Sequence, residues 1–217
     1  MLEQMGYNGG GLGKYENGIK QPINVEKNEG RKGIGTKGNN HIESTNPPKR
    51  VNNPANLWPP GTVLIIGDSM IGGIEEQKLK QYRAKVRTHP GACVDDIYDF
   101  IAPLLKKKPK YIILHIGTND ATFKPAKDIY DEITNLKEYI KQVLPNTEVY
   151  LSCPTLRSDI ASASRVVREL DSKIKRCGGC LTNDSIDGTC LSKRGLHLNE
   201  KGTRKLAANF IKLTQGF

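Results

Sequence analysis

The chain has 217 residues and a formal net charge of +10, from 33 basic and 23 acidic side chains. This length is enough for one well-packed core and a smaller appendage, and the excess of positive charge favours a polyanionic partner such as nucleic acid. No apolar run approaches the roughly 18 residues of a membrane-spanning helix, so no membrane association is predicted. The N-terminus lacks the apolar stretch of a secretory signal. The five cysteines, an odd number, are therefore expected to be reduced thiols of an intracellular protein.

Glycine recurs throughout residues 1–37, where apolar residues are sparse. Such a segment buries too little surface to offset the entropy of ordering it, so by itself it is predicted to be largely disordered. A plain flexible tail is one interpretation. A module that orders on a partner is the other, because a few spaced apolar side chains are available as anchors. These anchors are Leu2, Met5, Leu12, Ile23 and Ile34.

The spacing of MGYNGGGLGKYENGIKQPI, followed by GIG, resembles the G-patch family. The resemblance covers about residues 2–35 and includes Tyr7, where the family has an aromatic residue. It implies a module that binds RNA, a DEAH-type RNA helicase, or both through residues 1–37, and hence a nuclear location. The family also occurs in retroviral and retroelement polyproteins, so a retroelement-derived fragment is a further interpretation.

Residues 38–60 are rich in Asn and Pro without any period, which predicts a linker that Trp58 anchors to the next domain. From Thr62 onward, short apolar runs alternate with amphipathic stretches. This alternation predicts an α/β domain at residues 61–217, with a parallel sheet covered by helices on both faces. The predicted strands are 63–66, 84–89, 111–116 and 147–152, and the predicted helices are 74–82, 94–105, 126–144, 162–177 and 200–213.

Ser69 follows the first predicted strand and precedes a predicted helix. Open α/β sheets bind their ligands outside the carboxyl ends of the strands, which is where this serine falls. The free N–H groups of a helix N-terminus also favour a developing negative charge. A nucleophile is one interpretation of Ser69, and a simple helix N-cap is the other.

Three further residues fall after predicted strands or just before the last helix: Gly91, Asn119 and His197. A right-handed doubly wound sheet brings such positions to one edge. Acyl transfer needs a hydroxyl nucleophile, a base for its proton and donors for the oxyanion. The hydroxyl of Ser69, the imidazole of His197, the N–H groups of Ser69 and Gly91, and the Asn119 amide meet these needs.

The blocks GDSM at 67–70, Gly91, GTND at 117–120 and HLN at 197–199 resemble the SGNH (GDSL-type) hydrolase family. The resemblance covers about residues 61–215 and implies a flavodoxin-like sheet and ester hydrolysis without a metal or other cofactor. It implies that Ser69 is the nucleophile and His197 the general base, with Gly91 and Asn119 as oxyanion donors. Asp68 and Asp120 are expected to stabilise their turns by binding local N–H groups.

One position departs from the SGNH pattern. The family's last block reads Asp-x-x-His, but here Arg194 stands three residues before His197. A guanidinium cannot accept a hydrogen bond from the imidazole, and it disfavours the imidazolium. Asp184 or Asp187 could orient the imidazole instead, or a backbone carbonyl could do so in a Ser-His dyad. Otherwise the domain is a binding or structural relic, so an active esterase and an inactive hydrolase-like domain are both open interpretations.

Two other groups of residues invite a functional interpretation that we do not favour. Cys177 and Cys180, with Cys190 downstream, suggest zinc, but their spacing fits no common structural zinc site. His115 lies inside the third predicted strand and is expected to be a core or edge histidine.

Overall fold

The computed structural model describes residues 57–216, and the predictions made for residues 1–56, including disorder of the G-patch-like segment, lie outside the described residues. The described part contains a parallel five-stranded sheet in the order β2-β1-β3-β4-β5. This order is the flavodoxin-like one, as expected. The strands are β1 (Val63–Gly67), β2 (Ala84–Thr88), β3 (Tyr111–His115), β4 (Glu148–Ser152) and β5 (Cys180–Leu181).

Four α-helices connect and follow these strands, and each lies within one residue of its predicted bounds. They are α1 (Val94–Leu105), α2 (Ala126–Val143), α3 (Ala161–Arg176) and α4 (Glu200–Thr214). The helix predicted over 74–82 is wrong in type, because Glu76–Tyr82 is a 3₁₀ helix in which only Leu79 is buried. One buried side chain does not make the apolar stripe that stabilises an α-helix. Strand β5 was not predicted, since two residues carry no readable pattern.

The core consists of two apolar layers, one on each face of the sheet. Leu64 and Ile66 of β1 belong to the layer that contains the buried faces of α1, α2 and α3. Val63 and Ile65 belong to the layer that contains α4. The continuous apolar run of β1 therefore reflects burial on both faces, which is usual for a central parallel strand.

The ends of β1 and β3 approach each other closely at Gly67. A Cβ atom at this position would lie 2.2 Å from the carbonyl oxygen of His115, so only glycine fits. This close contact fixes where the chain leaves β1, directly before Ser69.

The residues just before the predicted domain boundary already contact the sheet domain. The backbone N–H of Trp58 donates to the carbonyl of Lys107 at 3.0 Å, and the Arg87 guanidinium lies 5.8 Å from the indole centroid. These contacts fit the expected anchoring by Trp58, while the boundaries of the segments before it stay a prediction.

Candidate active site

Ser69 begins a three-residue 3₁₀ helix, Ser69–Ile71, just beyond the end of β1. The Asp68 carboxylate caps this turn by accepting a hydrogen bond from the Met70 N–H at 2.9 Å. The helix predicted over 74–82 does not begin at Ser69, and a turn as short as Ser69–Ile71 supplies little macrodipole. What the turn does provide is a half-buried serine at the sheet edge where ligands are expected.

His197 faces Ser69 from the other end of the sequence. Its Nε2 atom lies 3.1 Å from the Ser69 Oγ, within reach for proton transfer. The histidine lies in a hairpin closed by pairing of Leu191 with Leu198, and its carbonyl accepts from the Ser192 N–H at 2.7 Å. The hairpin leads directly into α4, so the fold fixes the backbone of His197 while its side chain stays exposed.

Gly91 and Asn119 lie at the same sheet edge, on the loops that follow β2 and β3. Gly91 has a φ of +81°, a conformation that other residues rarely adopt, and open space surrounds its Cα. The Asn119 amide donates to the carbonyl of Ala92 at 2.8 Å, so the two loops touch. Within residues 57–216, the Gly91 N–H and the second amide hydrogen of Asn119 have no protein acceptor. Both groups are therefore available to a ligand.

Comparison with known proteins separates the chain into two parts. Residues 1–37 match the family model described as G-patch domain. A GDSL-like lipase from Bacteroides thetaiotaomicron is similar to this chain with a TM-score of 0.62 at 15% identity, over 72% of this chain and 88% of that chain. A carbohydrate esterase family 3 protein from Talaromyces cellulolyticus gives 0.59 at 15% identity, over 72% and 99%. A lipase/acylhydrolase from Enterococcus faecalis gives 0.56 at 15% identity, over 71% and 96%.

Residues 57–216 have the SGNH hydrolase fold. The chain thus joins a G-patch domain to an SGNH hydrolase-like domain. At this low identity the structural similarity shows the fold alone. No curated protein matches the chain.

The SGNH hydrolase-like domain lacks a carboxylate behind its histidine. Arg194, in the position of the family's aspartate, is exposed. Asp184 pairs with a lysine of α3, and Asp187 caps the 3₁₀ helix Gly188–Cys190. Among the described residues, no side chain or backbone carbonyl contacts Nδ1 of His197. The conceivable orientation of His197 by either aspartate or by a carbonyl is therefore not seen.

Two buried carboxylates hold the loops on the serine side. Asp68 is fully buried. Its Oδ1 atom caps the Ser69 turn, and its Oδ2 atom has no hydrogen-bond partner among the described residues. Burial raises the pKa of Asp68 to about 7. Asp120 accepts from the Val94 N–H at 3.2 Å and lies 3.4 Å from the Lys124 ammonium, and burial raises its pKa. Asp68 thus binds a local main-chain N–H group, as expected. Asp120 instead binds the N–H of a residue 26 positions away, so it ties two loops together.

Arg157 is a functional candidate that the sequence analysis missed. It is only 2% exposed, donates to the Thr118 carbonyl at 2.7 Å and forms a two-pronged contact with Asp159 at 2.8 and 2.7 Å. The neighbouring Ser158 N–H donates to the Gly195 carbonyl at 2.7 Å. The loop after β4 therefore ties the loop of the candidate oxyanion donor to the hairpin of the candidate base. The only sequence signal was an Arg-x-Asp triplet in a loop, which is weak.

The side chains set aside in the sequence analysis form no hydrogen bond with Ser69 or His197 in the described part of the chain. Within residues 57–216, no group of three or more His, Cys, Asp or Glu side chains is arranged to hold a metal ion. His115 is buried, and its Nδ1 lies 2.9 Å from the Ser152 hydroxyl. Burial lowers the pKa of His115 to about 4, as befits a neutral core histidine. The helices of this part of the chain are all too short or too polar to cross a membrane.

Proposed function

We propose that the SGNH hydrolase-like domain hydrolyses carboxylic esters, with Ser69 as nucleophile and His197 as general base. The observation that carries this proposal is the 3.1 Å contact between the imidazole Nε2 and the serine Oγ. Two groups 128 residues apart in sequence meet there at the carboxyl edge of a parallel sheet. The structural neighbours described as a lipase and as an esterase support an ester as substrate class.

The chemistry proceeds in two halves. In the first, His197 takes the hydroxyl proton as the Ser69 oxygen attacks the ester carbonyl, and the oxyanion accepts hydrogen bonds from the Gly91 N–H and the Asn119 amide. The imidazolium then protonates the leaving alcohol, which gives an acyl-serine. In the second half, His197 activates a water that attacks the acyl-serine, and the carboxylic acid leaves as Ser69 regains its proton.

The rate is expected to be low, because no group in the described part of the chain accepts a hydrogen bond from the distal nitrogen of His197. In serine proteases, replacing the orienting aspartate by asparagine lowers kcat by about 10⁴. The Ser-His pair and the oxyanion donors therefore predict a slow esterase that works as a dyad.

The test is hydrolysis of p-nitrophenyl acetate by the full chain and by the Ser69→Ala and His197→Ala variants. We expect the wild-type rate to exceed that of both variants, while Ser172→Ala, on the exposed face of α3, keeps it. Equal rates for wild type and Ser69→Ala in folded protein contradict the proposal.

We infer a second function for residues 1–37, which is association with RNA, with a DEAH-type RNA helicase, or with both, at a nuclear location. The family match supports this, and the net charge of +10 is compatible with it. The test compares RNA binding and helicase stimulation by the full chain with those of a Leu12→Asp, Ile23→Asp variant, and locates the tagged full chain by microscopy. Unchanged binding and stimulation reject the G-patch role, and a retroelement origin stays a prediction.

A further inference from the structure

One face of α3 carries cations that have no carboxylate partner. Four side chains make up this α3 basic face: Arg165, Arg168, Lys173 and Arg176. The helical period places all four within one side of the helix, and together with Glu169 and Ser172 they line a shallow surface depression of about 410 Å³. Within the described residues, none of the four forms an ion pair.

The same helix also carries a lysine whose charge is neutralised by ion pairs. Lys175 lies beside the basic face, 2.8 Å from Asp171, and it also pairs with Asp184. On the basic face itself, Glu169 is the one acidic side chain among the six that line the depression. The six side chains that line the depression therefore carry a net charge of +3, from four cations and one carboxylate. The charge of the neighbouring Lys175 is neutralised by its ion pairs.

We propose that the α3 basic face binds the phosphate backbone of a nucleic acid. Three of its four cations are arginines, whose planar forks match phosphate oxygens in a bidentate manner. Arg165 and Arg176 are eleven residues apart, which is about 16 Å along a helix axis. That length is enough for the cations to lie beside several successive phosphates of one strand. The inference is independent of ester hydrolysis and of the G-patch, because it rests on residues outside both.

An anionic membrane fits this face less well than a nucleic acid does. A helix that lies on a membrane inserts its apolar side into the lipid boundary. The apolar side of α3 is instead buried in the core, through Ala163, Val167, Leu170 and Ile174. The exposed side of α3 therefore presents charge to a partner but no apolar surface that could insert into lipid.

The test uses the full chain and a labelled 20-nucleotide single-stranded RNA, followed by fluorescence anisotropy over a range of salt concentrations. A variant with all four cations changed to Gln should bind about 10- to 100-fold more weakly, and its slope of log K against log salt should be shallower by about 3. A matched variant that loses four surface lysines elsewhere (Lys80, Lys106, Lys137 and Lys212 to Gln) carries the same net charge and should stay near wild type. Changing the three arginines to Lys keeps the charge but loses the bidentate geometry, so it should weaken binding less than the four-Gln variant does.

Binding to phosphatidylserine vesicles is measured in parallel. Three outcomes overturn the proposal: an unchanged RNA affinity in the four-Gln variant, an equal loss of RNA affinity in the matched variant, or a loss of affinity for the vesicles alone. Circular dichroism melting of each variant guards against misfolding. Because Ser69 lies outside the α3 basic face, Ser69→Ala should bind the RNA like wild type, and the four-Gln variant should keep its rate on p-nitrophenyl acetate.

Discussion

The two halves of the candidate active site are built very differently. The serine side comprises the loops after β1, β2 and β3, and buried polar groups brace it: Asp68 caps the Ser69 turn, Asp120 holds the start of α1, and Arg157 binds the Thr118 carbonyl. The histidine side is the hairpin between Leu191 and Leu198, where the exposed imidazole forms one hydrogen bond within residues 57–216, to Ser69.

This difference shows which groups of the candidate site the sheet edge positions and which group needs a further residue to orient it. The candidate nucleophile and the candidate oxyanion donors lie at strand ends, so the fold itself would preorganise them. The orientation of the base needs a further carboxylate, and here its position holds Arg194. The serine side is thus complete by geometry, and the histidine side is expected to limit the rate.

Removing the brace of the serine side should give the largest effect on stability. Arg157→Met leaves Asp159 and the Thr118 carbonyl without this donor, and losing the charge-assisted hydrogen bonds of a buried guanidinium costs about 3 kcal/mol of unfolding free energy. Urea unfolding measures this loss. Arg165→Met, on the exposed face of α3, is the matched control and should change the stability by less than about 0.5 kcal/mol. Equal stability of Arg157→Met and wild type would show that the brace is dispensable.

Loss of an oxyanion donor comes next. Asn119→Ala removes the side-chain amide and should lower kcat for p-nitrophenyl acetate by about 10²- to 10³-fold, with a smaller effect on KM. Asn146→Ala, in an exposed loop, is the control and should match wild type. A rate within twofold of wild type would exclude Asn119 from the reaction.

The buried carboxyl beside the nucleophile should make stability depend on pH. Burial raises the pKa of Asp68 in the folded chain from 3.8 to about 7, so the folded state holds its proton more tightly than the unfolded state. Stability from this group is therefore present below about pH 4 and is lost as the pH rises towards 7. Asp68→Asn removes that loss, so its stability relative to wild type should increase by on the order of 2 kcal/mol between pH 4 and 8. Parallel melting curves at all pH values would contradict this.

The smallest expected effect tests the histidine side directly. Arg194→Asp restores the family's Asp-x-x-His spacing and should raise kcat about tenfold, if the hairpin lets the new carboxylate reach Nδ1 of His197. Lys193→Asp makes the same change in charge at the adjacent exposed position and should not raise the rate. An equal gain in both variants would attribute the effect to net charge and not to orientation.

The sequence predicted the parts of this structure that depend on local patterns. Apolar runs marked β1 and β3 because central parallel strands are buried on both faces, and the amphipathic period of α1 gave its bounds exactly as found. The four candidate site residues lie at the sheet edge that the order of the SGNH blocks and the sheet topology indicated, and their catalytic roles stay a prediction.

The rest depended on contacts between distant loops, which no local pattern records. The burial of Arg157 arises from a loop after β4 that meets the Thr118 carbonyl and the Gly195 carbonyl. The engagement of Asp184 by a lysine of α3 likewise follows from tertiary packing, so its absence from His197 was not predictable. The 3₁₀ helix at Ser69–Ile71 is too short to have a period of its own.

The most direct test of the account is covalent labelling of the full chain with a fluorophosphonate, read by intact mass and peptide mapping. A single adduct on Ser69, absent in Ser69→Ala and strongly slowed in His197→Ala, is the predicted result. Folded wild-type protein that stays unlabelled, or that is labelled at another residue, would contradict the claim that these two side chains form a working nucleophile and base.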